Sequence, residues 1–314
     1  MKPNASVLLL TTLTGFGYGL LAWLGAESAF GVLPAAKTRS LVTTGVVVSL
    51  IFVSIGLVAS GFHLGRKERA WRAFSQWRSS WLSREAVASV LTYPVAIGFG
   101  VIASRHGHGI GARILGVAAA VASLGTVYCT AMIYASLKPI RQWHNRHTAP
   151  DYLLYAVFSG ALLFASIRTA VIGRPGVLAS AAACVTAALA LIAKGAYWRH
   201  IDAQKPLATL AAAIGLPKGI EARPLDAPHF TENFILREMG FAIARRHAAR
   251  LRSLVIAVGF VAPLGLSILA GLALAPMTTT MLALVCAALG LLAERWLFFA
   301  QATHVSALYY GRAI

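Results

Sequence analysis

Residues 41–61 read LVTTGVVVSLIFVSIGLVASG, a run without one charged side chain, and FHLGRKERAWRAFSQWRSSWLSRE follows at once as 62–85. The first segment suits a bilayer crossing, because about 20 mainly apolar residues in a helix cover roughly 30 Å of hydrocarbon. Seven more such runs lie at approximately 5–24, 86–104, 114–136, 151–173, 176–197, 253–273 and 277–299. Of the 314 residues, 58% are hydrophobic and 12% charged, far more apolar than an ordinary soluble domain. The expected fold is an all-α integral membrane protein, one domain over 1–314 built as a bundle of eight transmembrane helices. Only MKPN precedes the first run, and no small-residue cleavage site follows it, so it reads as a retained span rather than a signal peptide.

In a soluble protein the net charge of +18 would suggest nucleic acid; across eight spans its sidedness matters more. The termini and the loops 62–85, 137–150 and 198–250 share one side and carry nineteen cations, against five on the other (Lys37, Arg39, Arg105, Arg113 and Arg174). The positive-inside rule then puts that side, with both termini, in the cytoplasm of a bacterial inner membrane, and no nucleic acid is expected. The three loops form the expected docking face for partners and lipid headgroups. The longest of them ends in TENFILREMGFAIARRHAAR, which reads as an amphipathic helix starting near Thr231, with Arg237 on its polar part. Spans four, six, seven and eight are rich in Ala, Gly and Ser, which lets helix backbones approach closely.

Cys129, Cys184 and Cys286 all fall within spans and far apart, so they read as small packing residues. Without a CxxC pair the chain offers no thiolate cluster for iron–sulfur or zinc. Haem needs histidines on facing spans, whereas seven of the nine histidines lie in loops or flanks. No metal is therefore expected in this chain.

Residues 66–82 can form an interfacial helix with Trp71, Phe74, Trp77 and Trp81 set among Arg66, Arg69, Arg72 and Arg78. Tryptophan prefers the headgroup level, and arginine can snorkel or pair with anionic groups there. The bland reading is a loop anchor; the functional one is partner docking. His63 and Glu85 flank this loop at the same ends of spans two and three. An imidazole and a carboxylate at the edge of hydrocarbon are costly, and both exchange protons near neutral pH. Proton handling and a structural hydrogen bond stand side by side as readings of the pair.

The motif HLG followed by an arginine, Ser83 to Glu85 as Ser-x-Glu, WRHID at 198–202, REMGF at 237–241 and ERWLFFAQATHVSALYYG at 294–311 together resemble the membrane anchor subunits of the dimethyl sulfoxide reductase type, found in complex iron–sulfur molybdoenzymes. The resemblance runs over nearly the whole chain. It implies an anchor without metal of its own, an iron–sulfur (ferredoxin-like) partner, a molybdopterin catalytic partner and exchange of electrons with quinone, ubiquinone or menaquinone. It also implies that the HLG histidine and the Ser-x-Glu glutamate, here His63 and Glu85, serve the quinone. The basic, tryptophan-rich RAWRAFSQWRSSW is more like the anchors of sulfite-oxidising members, so sulfite oxidation is favoured over reduction of dimethyl sulfoxide or a similar acceptor.

Quinone reduction takes two electrons and two protons, so a site needs donors to the carbonyls, a protonic connection to water and an apolar slot for the tail. Supporting candidates are Arg69, Tyr93, Tyr134, Lys194, Glu294 and Arg295, and for each in-span group a structural bond is the leading reading. Lys194 and Glu294 could pair. A secondary transporter is the more remote alternative, supported by Arg168 within span five, but no broken helix pair or repeat accompanies it.

Overall fold

A computed structural model describes residues 3–31, 35–62, 66–204, 209–217, 219–223, 225–226 and 247–306. Among them eight helices are long and apolar enough to cross a membrane. They are α1 (Ala5–Phe30), α2 (Ala35–Gly61), α3 (Trp81–His106), α4 (Ile110–Ala135), α5 (Thr148–Ile172), α6 (Val177–Asp202), α7 (Ala248–Gly271) and α8 (Pro276–Ala300). Every expected span has its helix. Most run several residues beyond the hydrophobic run, since hydropathy marks the hydrocarbon and the helix continues into the headgroup layer. Helix α1 packs on α2, α4 and α5, while α5 packs also on α4, α6 and α8, so α1 and α5 form the seam between two halves.

At that seam the backbones nearly touch. A Cβ added at Gly19 would overlap the carbonyl of Ala156, and one at Gly160 would overlap the backbone of Gly19. Lipid gives helices no hydrophobic reason to associate, so close van der Waals contact over small residues holds this crossing. The expectation of close packing in spans four, six, seven and eight did not include this α1–α5 contact. In α7, residues Val255–Val261 form a π-helical segment in which the Ala262 amide bonds the Ala257 carbonyl. Pro263 explains it: the ring clashes with a carbonyl four residues back, and one extra residue per turn relieves the clash.

Outward faces are aliphatic at helical spacing, for instance Ile51, Ile55 and Val58 on α2 or Val185, Leu189 and Ile192 on α6. Such stripes would be aggregation-prone in water and face lipid here. The loop between α2 and α3 differs from a single interfacial helix over 66–82. It is a 3₁₀ helix, Lys67–Phe74, followed by turns, and Trp81 opens α3 instead. The Arg84 guanidinium decides this: it donates to the carbonyls of Trp77 (3.0 Å) and Arg78 (2.7 Å) and lies 4.3 Å from the Trp81 ring, fixing a turn ahead of α3. Trp71 and Trp77 remain exposed. The loop 137–150 is tied down, with Trp143 buried and its indole donating to the Phe298 carbonyl at 3.0 Å.

Candidate functional site

Polar residues in hydrocarbon must find one another, and here they do so in the half of the bundle nearest the long loops. Glu85 lies one turn into α3, where it is buried and its Oε1 accepts a hydrogen bond of 2.6 Å from Thr130 Oγ1 on α4. Thr130 and Thr126 also bond back to carbonyls of their own helix, and Thr126 meets Thr92 of α3 at 3.2 Å. Threonine can satisfy itself in this way and still offer a hydroxyl across a helix interface. His63, the expected companion of Glu85, lies outside the described residues, as do Arg237 and most of the amphipathic helix expected from Thr231.

A second polar group sits where α5, α6 and α8 meet. Lys194 Nζ lies 2.5 Å from Glu294 Oε1, with both side chains at most 1% exposed. Arg295 Nη1 approaches Glu294 Oε2 at 3.6 Å, and its guanidinium lies 3.6 Å from the centre of the Tyr152 ring. The Lys194 ammonium lies 3.9 Å from the Tyr197 ring centre, a favourable contact for a desolvated cation. Asp151 is buried beside them with Oδ1 lacking a hydrogen-bond partner, and so are the hydroxyls of Tyr152 and Tyr155. Tyr134 packs edge-on to Trp143, Phe298 and Phe299 and stacks on Tyr152 at 5.7 Å.

Between these two groups is a cavity of about 20 Å³, lined by Thr11, Thr12, Thr14, Thr130, Tyr152, Tyr155, Ser159 and Arg295 among others. That volume holds one water and no ring, and its walls offer the two to four polar partners a buried water needs. Thr130 thus touches Glu85 on one side and the cavity on the other, and Arg295 joins the cavity to Glu294. The arrangement can pass a proton between Glu85 and the buried ion cluster through hydroxyls and one water.

Of the sequence candidates, Tyr134, Lys194, Glu294 and Arg295 come together, and Glu85 reaches them through Thr130. Tyr93 does not join them; its hydroxyl pairs with Ser54 of α2 at 2.7 Å. Arg69, like Arg66, Arg72 and Arg78, is exposed on the loop. Asp151, Tyr152, Tyr155 and Thr130 were missed. The signal lay in DYLLY at 151–155, which sets an acid and two tyrosines on adjacent positions of one helical turn inside an apolar run. Among the described residues no three His, Cys, Asp or Glu side chains gather as metal ligands. Of the WRHID landmark, Asp202 holds Arg252 of α7 through two bonds, 2.5 and 2.9 Å.

Residues 3–309 match the family described as DMSO reductase anchor subunit (DmsC). The chain belongs to that family. It is also 34% identical, over 328 aligned positions covering 99% of each protein, to a subunit of the sulfite dehydrogenase of Allochromatium vinosum. As a member of the anchor family it is a multi-pass membrane anchor subunit, and the ERW of its 294–311 landmark supplies Glu294 and Arg295 to the buried cluster.

Proposed function

We propose that this anchor-family chain is the quinone-reactive membrane subunit of a molybdoenzyme complex in the bacterial inner membrane. It takes electrons from an iron–sulfur partner, which receives them from a molybdopterin protein that oxidises sulfite, and it gives them to quinone. The observation that carries this reading is Glu85: a carboxylate buried one turn into α3 at the end nearest the long loops, in a chain of the anchor family, with a hydroxyl and a cavity the size of one water behind it. Each quinone accepts two electrons and two protons. Glu85 gives a proton to one carbonyl oxygen and is reprotonated through Thr130 and the cavity water, while His63 serves the other carbonyl. The cavity is too small for the ring, so the head group meets Glu85 from outside it and the tail lies along the lipid face. The sulfite reading rests on likeness to the Allochromatium vinosum protein, and the family description favours, as the second reading, a quinol-oxidising dimethyl sulfoxide reductase anchor. Both termini and the docking loops are cytoplasmic in this reading, as the nineteen cations on that side support.

The test uses the intact complex. Glu85→Gln and His63→Ala should each slow sulfite-dependent quinone reduction, while sulfite oxidation with an artificial acceptor stays at the wild-type rate. Thr130→Val should slow the quinone-coupled rate less, since the carboxylate remains. Unchanged quinone-coupled rates in both Glu85→Gln and His63→Ala would return these groups to a structural role. Membranes that oxidise quinol with a sulfoxide and ignore sulfite would select the second reading.

A further inference from the structure

At the end of the bundle away from the long loops lies a larger cavity, about 230 Å³, between α1, α5 and α6. Trp23, Glu27, Phe30, Phe164, Arg168 and Leu178 line it. Its inner wall is aromatic: Trp23 and Phe164 stack with ring centres 6.4 Å apart, and the Trp23 indole is fixed by a 2.8 Å bond to the Val157 carbonyl. Its mouth is greasy and open, with Phe30 85% and Leu178 83% exposed. Glu27 lies about one turn from the end of α1, and Arg168 about one turn from the end of α5, which is headgroup depth.

The two charged groups are near enough to feel each other's charge but do not close into a pair. Among the described residues they form no ion pair, and the buried Glu27 Oε1 has no hydrogen-bond partner. Arg168 is held in place by donating Nη1 to the Pro175 carbonyl, and it passes over Gly176, whose φ of +78° suits glycine and where a Cβ would collide with the guanidinium. A charged side chain inside a span faces a cavity or a partner because leaving it in hydrocarbon is costly. Here one acid and one base face the same cavity, so the ligand they fit has one charge of each sign.

We propose that this cavity binds the headgroup of a zwitterionic phospholipid of the phosphatidylethanolamine type. The planar guanidinium donates to phosphate oxygens, the ammonium donates to Glu27, and the acyl chains leave along Phe30 and Leu178. A phospholipid without the ammonium leaves Glu27 opposite extra negative charge. A quinone offers two carbonyl acceptors and no donor, so it serves Arg168 and leaves the carboxylate unmet. The site is independent of the quinone reading, being at the opposite end of the bundle from Glu85.

The test is native mass spectrometry of the full chain, delipidated and then titrated with phosphatidylethanolamine, with phosphatidylglycerol of the same acyl chains, and with a short-chain ubiquinone. One phosphatidylethanolamine should be retained about tenfold more tightly than phosphatidylglycerol, the effect of one charge-assisted bond. Glu27→Gln should remove the preference, and Arg168→Met, which loses the phosphate contact common to both, should weaken retention of both lipids. Leu178→Trp should weaken retention by narrowing the mouth, and because Leu178 is exposed this variant decides the matter if the charge variants fail to fold. Equal retention of the two lipids, a preference for phosphatidylglycerol, displacement by the ubiquinone, or unaltered binding in Leu178→Trp would each overturn the proposal.

Discussion

Removing the Glu294 carboxylate should cost more than removing the Lys194 ammonium, and the reason is in the count of charges left behind. Both groups are essentially inaccessible and 2.5 Å apart. Breaking one side of such a pair typically costs about 3–5 kcal/mol, because an unpaired ion stays buried. Lys194→Met leaves Glu294 with Arg295 at 3.6 Å, so the lower end, about 3 kcal/mol, applies. Glu294→Leu strands two cations, Lys194 and Arg295, which among the described residues keep aromatic faces and the neighbouring Asp151 for company. The ring contacts return about 1–2 kcal/mol for a desolvated cation, which leaves a cost nearer 5 kcal/mol. The double variant Lys194→Met with Glu294→Leu strands Arg295 alone, so it should cost less than Glu294→Leu by itself and fall short of the sum of the singles by more than about 3 kcal/mol. Reversible unfolding in mixed detergent micelles, followed by tryptophan fluorescence, measures all three. Additive losses, or single losses under about 0.5 kcal/mol, would mean that water reaches the pair and would refute the argument from burial.

Gly160→Val should abolish accumulation of the folded chain in membranes, because a side chain there meets the backbone of Gly19, whereas Gly125→Ala, with nothing within 4 Å, should accumulate normally; immunoblots of membrane fractions compare them. Arg84→Ala should free the carbonyls of Trp77 and Arg78 and raise trypsin cleavage after Arg78, with Arg84→Lys intermediate since it keeps charge but not the fork. His147, just ahead of α5, has its pKa held below 6.5 by burial and then by His200 and Arg146. The unfolded chain therefore binds more protons as pH falls through 6.5, so stability declines on that side; thermal unfolding of His147→Gln should show a weaker decline between neutral and mildly acidic pH. If quinone protons and electrons both enter at the loop end, turnover in proteoliposomes should develop no membrane potential, and a potential-sensitive dye that responds would refute the shared side.

The spans were legible because crossing a bilayer is a matter of composition over about 20 residues, which survives any error in register. The pairing of Lys194 with Glu294 was legible for a related reason: a charge in hydrocarbon needs a partner, and few partners were on offer. Neighbourhood was harder. Thr11, Thr12 and Thr14 on α1 meet Thr130 on α4, Tyr155 on α5 and Arg295 on α8 only because α1 runs through the centre of the bundle. Hydrophobic periodicity cannot reveal that order, since helices buried by lipid and helices buried by protein are equally apolar. For Tyr93 the leading reading is a structural hydrogen bond, because a tyrosine in a span needs a partner for its hydroxyl, and Ser54 supplies it.

Depth along the helices gives the site its sense. At 1.5 Å per residue, Glu85 is about 6 Å inside the start of α3, Glu294 about 9 Å from the end of α8 and Lys194 about 12 Å from the end of α6. The helices themselves are about 39 Å long. The cluster therefore occupies the third of the bundle next to the long loops, and the Glu27–Arg168 cavity lies near the opposite end. Along α5, between Tyr155 and Arg168, the side chains are aliphatic, aromatic, small or hydroxyl-bearing, and the hydroxyls of Ser159 and Ser166 bond carbonyls of their own helix. No titratable side chain stands on that stretch of α5 to carry a proton onward. The polar groups that begin at Glu85 thus end within the bundle, which on the proposed function suits a store and relay for one end rather than a channel through the membrane.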